Sequence, residues 1–306
     1  MRVLFIFLDG VGLGANDAEI NPFARVPMPF LERLLDGRRL LDGAAPFTGV
    51  RASLYALDAS LGVAGFPQSA TGQAVLLTGE NVPARIGEHY GPKPNPPVAE
   101  FIQRGTLFSR FVAAGRSAAL LNAYPPRYFH GIDSGKRLYS SIPLSVTSAG
   151  LSLFSKDDLF AGRALSADFT GEGWTQMLGF PDAPVLTAEA AGRKLASLSR
   201  QYDFSLFEYW ASDYAGHKQD MPWAVRQLGV LDEVLRGLLD AWDDSEGLIL
   251  ITSDHGNMED LSTRRHTDAK VPGLLFGSPE VRAAFANGLV DLTGIAPAIW
   301  RTVTSG

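Results

Sequence analysis

Seven residues of types that ligate cations or act as nucleophiles are spread along this chain: Asp9, Ser69, Asp213, His217, Asp254, His255 and His266. Ser69 lies in Pro67-Gln68-Ser69-Ala70-Thr71-Gly72-Gln73, ahead of the apolar run Ala74-Val75-Leu76-Leu77. That pattern is a turn feeding a helix. The free N–H groups and dipole at a helix N-terminus favour an alkoxide and an incoming phosphate. Taken alone, such a serine is more often a plain N-cap. Asp213 and His217 form a D-x-x-x-H pair, which a helix would bring to one face within reach of one ion. Taken alone, such a pair reads as a surface salt bridge. Asp254-His255-Gly256-Asn257 sets an acid beside an imidazole, and His266 follows in His266-Thr267-Asp268-Ala269-Lys270-Val271-Pro272. Asp9 precedes Gly10-Val11-Gly12-Leu13-Gly14, but the third glycine comes one residue too early for a dinucleotide-binding turn. An acid there would also sit where a pyrophosphate lies, so a metal carboxylate explains it better.

These residues need a frame that gathers them. Short apolar runs read as strands buried on both faces: Val3–Leu8, Ala52–Leu57, Ser117–Leu121, Phe204–Tyr209, Leu248–Thr252 and Val271–Phe276. Helical patterns lie between them: Phe30–Leu35 ending at Gly37, Thr187–Ser199 opening on a capping Thr, and Trp223–Trp242. The alternation predicts a doubly wound, mostly parallel α/β sheet with helices on both faces. From Pro125 to Leu186 the periodicity lapses, which predicts a small inserted cap over 125–186 within a core of 1–124 and 187–306. Ligands in open α/β sheets converge at the carboxyl ends of the strands. That edge would collect all seven residues, and so many carboxylates and imidazoles need cations to hold them together. Two divalent ions, Zn²⁺ or Mn²⁺, are the natural arrangement.

Composition narrows the classes. The 306 residues are 46% hydrophobic and 20% charged, as in an ordinary globular protein. With no Cys there are no disulfides, thiolate metal sites or thiol nucleophiles. A net charge of −6 argues against a nucleic-acid partner, which would want a basic surface. The opening run Val3–Leu8 ends at Asp9, too short for a signal peptide, and no run approaches the length of a membrane span. The expectation is a cytoplasmic protein with a buried first strand, and the charge does not exclude a small phosphorylated substrate, which needs only a few local cations or metals.

The motifs, in order, resemble the alkaline phosphatase superfamily, most closely its metalloenzyme branch with cofactor-independent phosphoglycerate mutase and phosphopentomutase. The likeness runs from Asp9-Gly10 through Ser69, Asp213-x-x-x-His217 and Asp254-His255-Gly256-Asn257-Met258-Glu259 to His266-Thr267, closing at Leu292-Thr293-Gly294-Ile295-Ala296-Pro297. It implies one ion held by Asp213, His217 and His266. It implies another held by Asp9, Asp254 and His255, with the oxygen of Ser69, the nucleophile, completing its shell. Gln73 stands where mutase relatives often show His.

The modest size of the 125–186 segment favours a phosphohydrolase working through phosphoserine, whereas the Asp254–Glu259 cluster has more the look of a phosphomutase. A metal-binding regulatory protein without turnover is a third class, and the intact Ser69 and ligand set argue against it. Arg85, His89, Arg127 and His130 are candidate substrate contacts, each with an ordinary surface or core role as the alternative.

Overall fold

The computed structural model describes residues 1–305. Its centre is a single sheet of seven strands: β1 (Arg2–Leu8), β2 (Phe47–Thr48), β3 (Ala52–Leu57), β4 (Ala118–Leu120), β5 (Phe204–Tyr209), β6 (Gly247–Thr252) and β7 (Val271–Phe276). All six apolar runs expected to be strands are present. The two-residue β2 is too short to carry a periodic signal. Spatial order is β2-β3-β7-β6-β1-β5-β4. Strands β4, β5, β1 and β6 pair in parallel, while β7 runs antiparallel to both β6 and β3. Five of the seven strands therefore point the same way. Apolar runs report burial on both faces and are silent about direction, so the reversal of β7 was not readable from them.

Alternation along β1 divides the interior. Leu4, Ile6 and Leu8 face a core built with the helices Pro29–Leu34, Ala188–Ser199 and Met221–Ala241. Val3, Phe5 and Phe7 face a second core with the helices Ser69–Thr78, Pro96–Arg104, Ser141–Ser148 and Ile295–Thr304. Local sequence sets the helix starts. Thr187 accepts from the Ala190 N–H at 3.2 Å, and Asp220 accepts from that of Trp223 at 2.9 Å. The Pro29–Leu34 helix is capped from a distance, since the two oxygens of Asp232 accept from the N–H groups of Phe30 (3.0 Å) and Leu31 (2.9 Å).

The segment 125–186 contains four short helices, and they pack in two ways. Ser141–Ser148 buries Ile142 and Val146 in the second core, and the Ser141 hydroxyl donates to the Ala70 carbonyl at 2.8 Å. Further on, Leu159, Ala164, Trp174 and Ala183 form a small separate cluster with Ala123. No helix among the described residues is long and apolar enough to cross a membrane.

At the far edge of the sheet Arg282 is buried without an acidic partner. Its guanidinium donates to the carbonyls of Gly277 (3.0 Å), Gly49 (2.9 Å) and Val50 (2.8 Å) and to the Ser53 hydroxyl (2.5 Å). It thus ties the β2–β3 turn to the end of β7. Arg282→Met would keep much of the volume but strand these acceptors. The expected loss is about 3 kcal/mol of stability, read as a lower urea midpoint with an unchanged slope.

Candidate active site

Parallel register brings the chemistry to one edge. Leu8 pairs with Tyr209 and Phe7 with Thr252, so Asp9, the Trp210–Asp213 turn and Asp254 all emerge together. His266 precedes its strand and would lie at the opposite edge if β7 were parallel. Because β7 is antiparallel, with Val271 beside Leu57, its start lies at the carboxyl edge, and His266 joins the others. All seven chemistry-bearing residues meet here.

Ser69 is the first residue of its helix rather than its cap. Gln68 holds the cap position in extended conformation, and the Ser69 hydroxyl makes no capping bond. The plain N-cap reading is therefore set aside. Instead, Ser69 Oγ lies 3.0 Å from His255 Nε2. The N–H groups of Ser69 and Ala70 meet no acceptor among the described residues. One turn on, a Cβ at Gly72 would stand 2.7 Å from Asp254 Cβ, so only glycine lets this helix approach the β6 edge. The loop beyond the helix is locked to its first turn, with Thr71 N–H donating to the Tyr90 carbonyl (3.0 Å) and Tyr90 N–H to Thr71 Oγ1 (3.1 Å).

Asp213 and His217 lie on the helix Ala211–Lys218, as their spacing predicts. His217 Nε2 is 3.2 Å from Asp213 Oδ2 and 3.3 Å from His266 Nε2, and His266 Nε2 is 3.6 Å from Asp213 Oδ1. A second group surrounds His255 Nε2: Ser69 Oγ at 3.0 Å, Asp254 Oδ2 at 3.5 Å and Asp9 Oδ1 at 3.6 Å. Donor atoms about 2.1 Å from a shared ion at tetrahedral angles stand about 3.4 Å apart, so both spacings fit a bound divalent cation. Asp9, Asp213 and His255 also present ligand atoms within 4.8 Å of one another, which puts Asp213 at the junction of the two groups.

The imidazoles are oriented alike. Nδ1 lies against a backbone carbonyl in each: Arg264 for His217 (2.7 Å), Pro67 for His266 (2.9 Å) and Gly256 for His255 (3.3 Å). For His255 and His266 a proton held there leaves the Nε2 lone pair facing the cluster, the tautomer that metal ligation needs, while His217 Nε2 bonds Asp213, which raises the His217 pKa. Charge is uncompensated. Burial, then the carboxylates of Asp254, Asp213 and Glu208, push Asp9 well above the usual range, and its Oδ1 is buried with no hydrogen-bond partner. Burial and Asp213 likewise raise Asp254. Burial, then His266, depress His255 to about 3, so it is neutral. Burial would raise Asp213 too. The His217 hydrogen bond, the largest opposing cause, and the Asn257 amide outweigh it and hold Asp213 at about 2. A buried carboxylate without a partner beside the neutral His255 is the condition that a cation relieves.

Several residues beyond the seven shape this centre. Asn257 Nδ2 donates to Asp213 Oδ1 at 2.6 Å. Buried Glu259 accepts from the N–H groups of Gly12 (2.9 Å) and Asn257 (2.8 Å) and from the Thr267 hydroxyl, clasping the loop after β1 to the β6–β7 connection. Gln73 Nε2 faces Asp254 Oδ2 at 3.5 Å. Glu208 is buried on β5, its backbone clamped by Asn122 (2.8 and 2.7 Å) and its carboxylate taking the Tyr124 hydroxyl at 3.2 Å. Its signal was an acid within an otherwise buried strand, Phe204–Tyr209. None of the four candidate substrate residues makes a hydrogen bond or ion pair with this cluster among the described residues. Arg85, Arg127 and His130 are exposed on short helices, while His89 is half-buried against the backbone of Ser60 and Val63, and burial lowers its pKa.

Residues 182–302 match the family model described as the Metalloenzyme superfamily. Over 111 residues the chain is 30% identical to a 2,3-bisphosphoglycerate-independent phosphoglycerate mutase of Methylobacillus flagellatus, covering 34% of this chain and 21% of that protein. Over 125 residues it is 32% identical to the mutase of the same name from Paracoccus denitrificans, covering 38% and 24%. The matched part thus spans about a fifth to a quarter of the length of these curated relatives. Among solved structures, a protein of Pyrococcus horikoshii superposes with a TM-score of 0.54 at 15% identity, covering 100% of this chain and 97% of the other. The alkaline phosphatase of an Antarctic bacterium superposes with a TM-score of 0.53 at 11% identity, covering 99% and 97%.

Glu208 yields a pH test. Burial raises its carboxyl from 4.5 to about 7, with the Tyr124 hydrogen bond opposing. With the folded value above the unfolded one, its contribution to stability is fully present below about pH 4.5. That contribution is lost as pH rises towards 7, by about 3 kcal/mol in all. Glu208→Gln cannot ionise. Relative to the parent it should gain stability by about that much between pH 5 and pH 8 in urea titrations, and a pH-independent difference would contradict the shift.

Proposed function

We propose that this chain, whose residues 182–302 match the Metalloenzyme superfamily model, is a metal-dependent phosphohydrolase acting on a small phosphoester through a phosphoserine at Ser69. The observation that carries this reading is Ser69 Oγ at a helix N-terminus, 3.0 Å from His255 Nε2 and beside a cluster of three carboxylates and three imidazoles. Asp213, His217 and His266 would hold one divalent ion, and Asp9, Asp254, His255 and Ser69 a second. Carboxylate and imidazole donors suit Zn²⁺ and Mn²⁺ alike. When bound, such ions lower the pKa of a ligated hydroxyl and neutralise charge on the entering and leaving oxygens.

The chain's own groups do the rest. The unpaired N–H groups of Ser69 and Ala70 receive oxygens of the phosphoryl group at the positive end of the helix. Ser69 Oγ bonds to phosphorus while the bond from phosphorus to the ester oxygen breaks, and the alcohol leaves with a proton. Water then attacks the phosphoserine, releasing inorganic phosphate and restoring the hydroxyl. Asn257 holds Asp213 by its Oδ1, and the backbone carbonyls at each Nδ1 hold the rings in their ligating orientation. The cations of the 125–186 segment favour hydrolysis over phosphomutase transfer. Arg163 is paired with Asp158 and Lys156 with Asp157, while Arg127 and Lys136 are exposed. A mutase needs a cation-lined chamber that keeps its dephosphorylated intermediate from water. The mutase reading draws on the names of the curated relatives, whose match is confined to a fraction of their length.

Two measurements test the proposal. With Zn²⁺ or Mn²⁺ present, the protein should release nitrophenol from p-nitrophenyl phosphate, and Ser69→Ala should lower turnover about 10³-fold or more. Undiminished turnover in that variant would remove Ser69 as nucleophile, and a metal-loaded parent without turnover would move the reading to a mutase. Asn257→Leu should weaken divalent-ion affinity about 10- to 100-fold in calorimetric titration, with the fold retained by circular dichroism.

A further inference from the structure

One cavity is lined by none of the metal-ligand residues. It has a volume of about 410 Å³ and opens between the 159–186 segment and the helix Ala188–Ser199. That is within the size range of pockets for small organic ligands, about 300–1,000 Å³. Leu159, Phe160, Leu165 and Leu186 line its walls together with Phe169. Phe169 is held in the left-handed region, at φ +62°, which a bulky side chain seldom adopts. Its ring is pinned there by stacking on Phe207 (4.6 Å) and Tyr209 (5.1 Å), strand residues of the main core. Strain of this kind persists only where the surroundings over-determine it, and it is concentrated at sites that hold ligands.

The charge around this cavity is one-sided. No Asp or Glu lines it, and its two charged residues are Arg193 and Lys194. Arg193 is already occupied by Glu189 at 2.6 Å. Lys194 forms no ion pair among the described residues, and its Nζ lies across Gly162, 3.1 Å from where a Cβ would stand. An apolar chamber with one free ammonium beside it is complementary to a hydrocarbon body bearing a single anionic head.

We propose that this cavity is a binding site for a medium-chain monocarboxylate, with the chain among Phe169, Leu165 and Leu186 and the carboxylate at Lys194. The site is separate from the Ser69 chemistry and does not rest on it. Occupancy would fasten the 159–186 segment to the Ala188–Ser199 helix, because the ligand touches both.

Isothermal titration of the full chain with decanoate, octanoate, acetate and decylamine tests it. The expected result is saturable binding of one decanoate per chain, about fifteenfold tighter than octanoate because each of the two added methylenes contributes about fourfold. Acetate, with the same head group, should give no comparable binding, which separates this site from carboxylate capture by metal ions. Ala190→Trp, which fills the cavity, should abolish decanoate binding. The surface change Lys194→Glu should weaken it at least tenfold, and it keeps the test decisive if the Trp variant does not fold. Equal affinity for decylamine in the parent, or decanoate binding undiminished in Lys194→Glu, would overturn the proposal.

Discussion

Mutual repulsion among buried carboxylates is the constraint on which this structure turns. Asp9, Asp213 and Asp254 meet at one sheet edge with Glu208 close by, and no Lys or Arg pairs with any of them among the described residues. Three imidazoles are their basic neighbours, and burial keeps His255 and His266 from carrying the compensating charge. A protein does not assemble such a set for stability, because each unpaired buried charge costs several kcal/mol. The arrangement makes sense as a receptor for cations, and the surrounding hydrogen bonds make sense as its scaffold. Glu259 clasps the loops, Asn257 steadies Asp213, and carbonyls orient the rings.

Much of this was legible in the sequence because each ligand abuts a strand that announces itself. Six buried runs located the edge, and the D-x-x-x-H spacing anticipated the shared face of Asp213 and His217. Ser69 was ambiguous until its hydroxyl could be seen facing His255 rather than its own helix. His266 was legible as a candidate, but not the reason it arrives. Only the antiparallel course of β7 turns a residue before a strand into a neighbour of residues after strands.

The less legible features share a cause. Asn257, Glu259, Glu208 and Arg282 act through partners distant in sequence, and no periodicity encodes a long-range hydrogen bond. Glu259 reaches Gly12 across 247 positions, and Arg282 reaches Val50 across 232. Arg85, Arg127 and His130 illustrate the converse, since a cation near a motif in sequence can stand on an exposed helix. The 125–186 segment, aperiodic in sequence, holds helices too short for a hydrophobic period to emerge.

The connection between β6 and β7, residues 253–270, carries Asp254 and His255 for one ligand group and His266 for the other. It is stitched internally by the Thr267 N–H to the Gly256 carbonyl (3.0 Å), and to the rest of the chain through Met258 to Gly10 (2.9 Å) and Leu261 to Ile20 (2.8 Å). A local opening of this one loop would therefore dismantle both groups together. Any ion occupancy would be linked to the order of this loop in a single equilibrium. Were an ion held at each group, either one would lower the entropy cost of ordering the loop for the other, and positive cooperativity would arise from one shared strip of backbone.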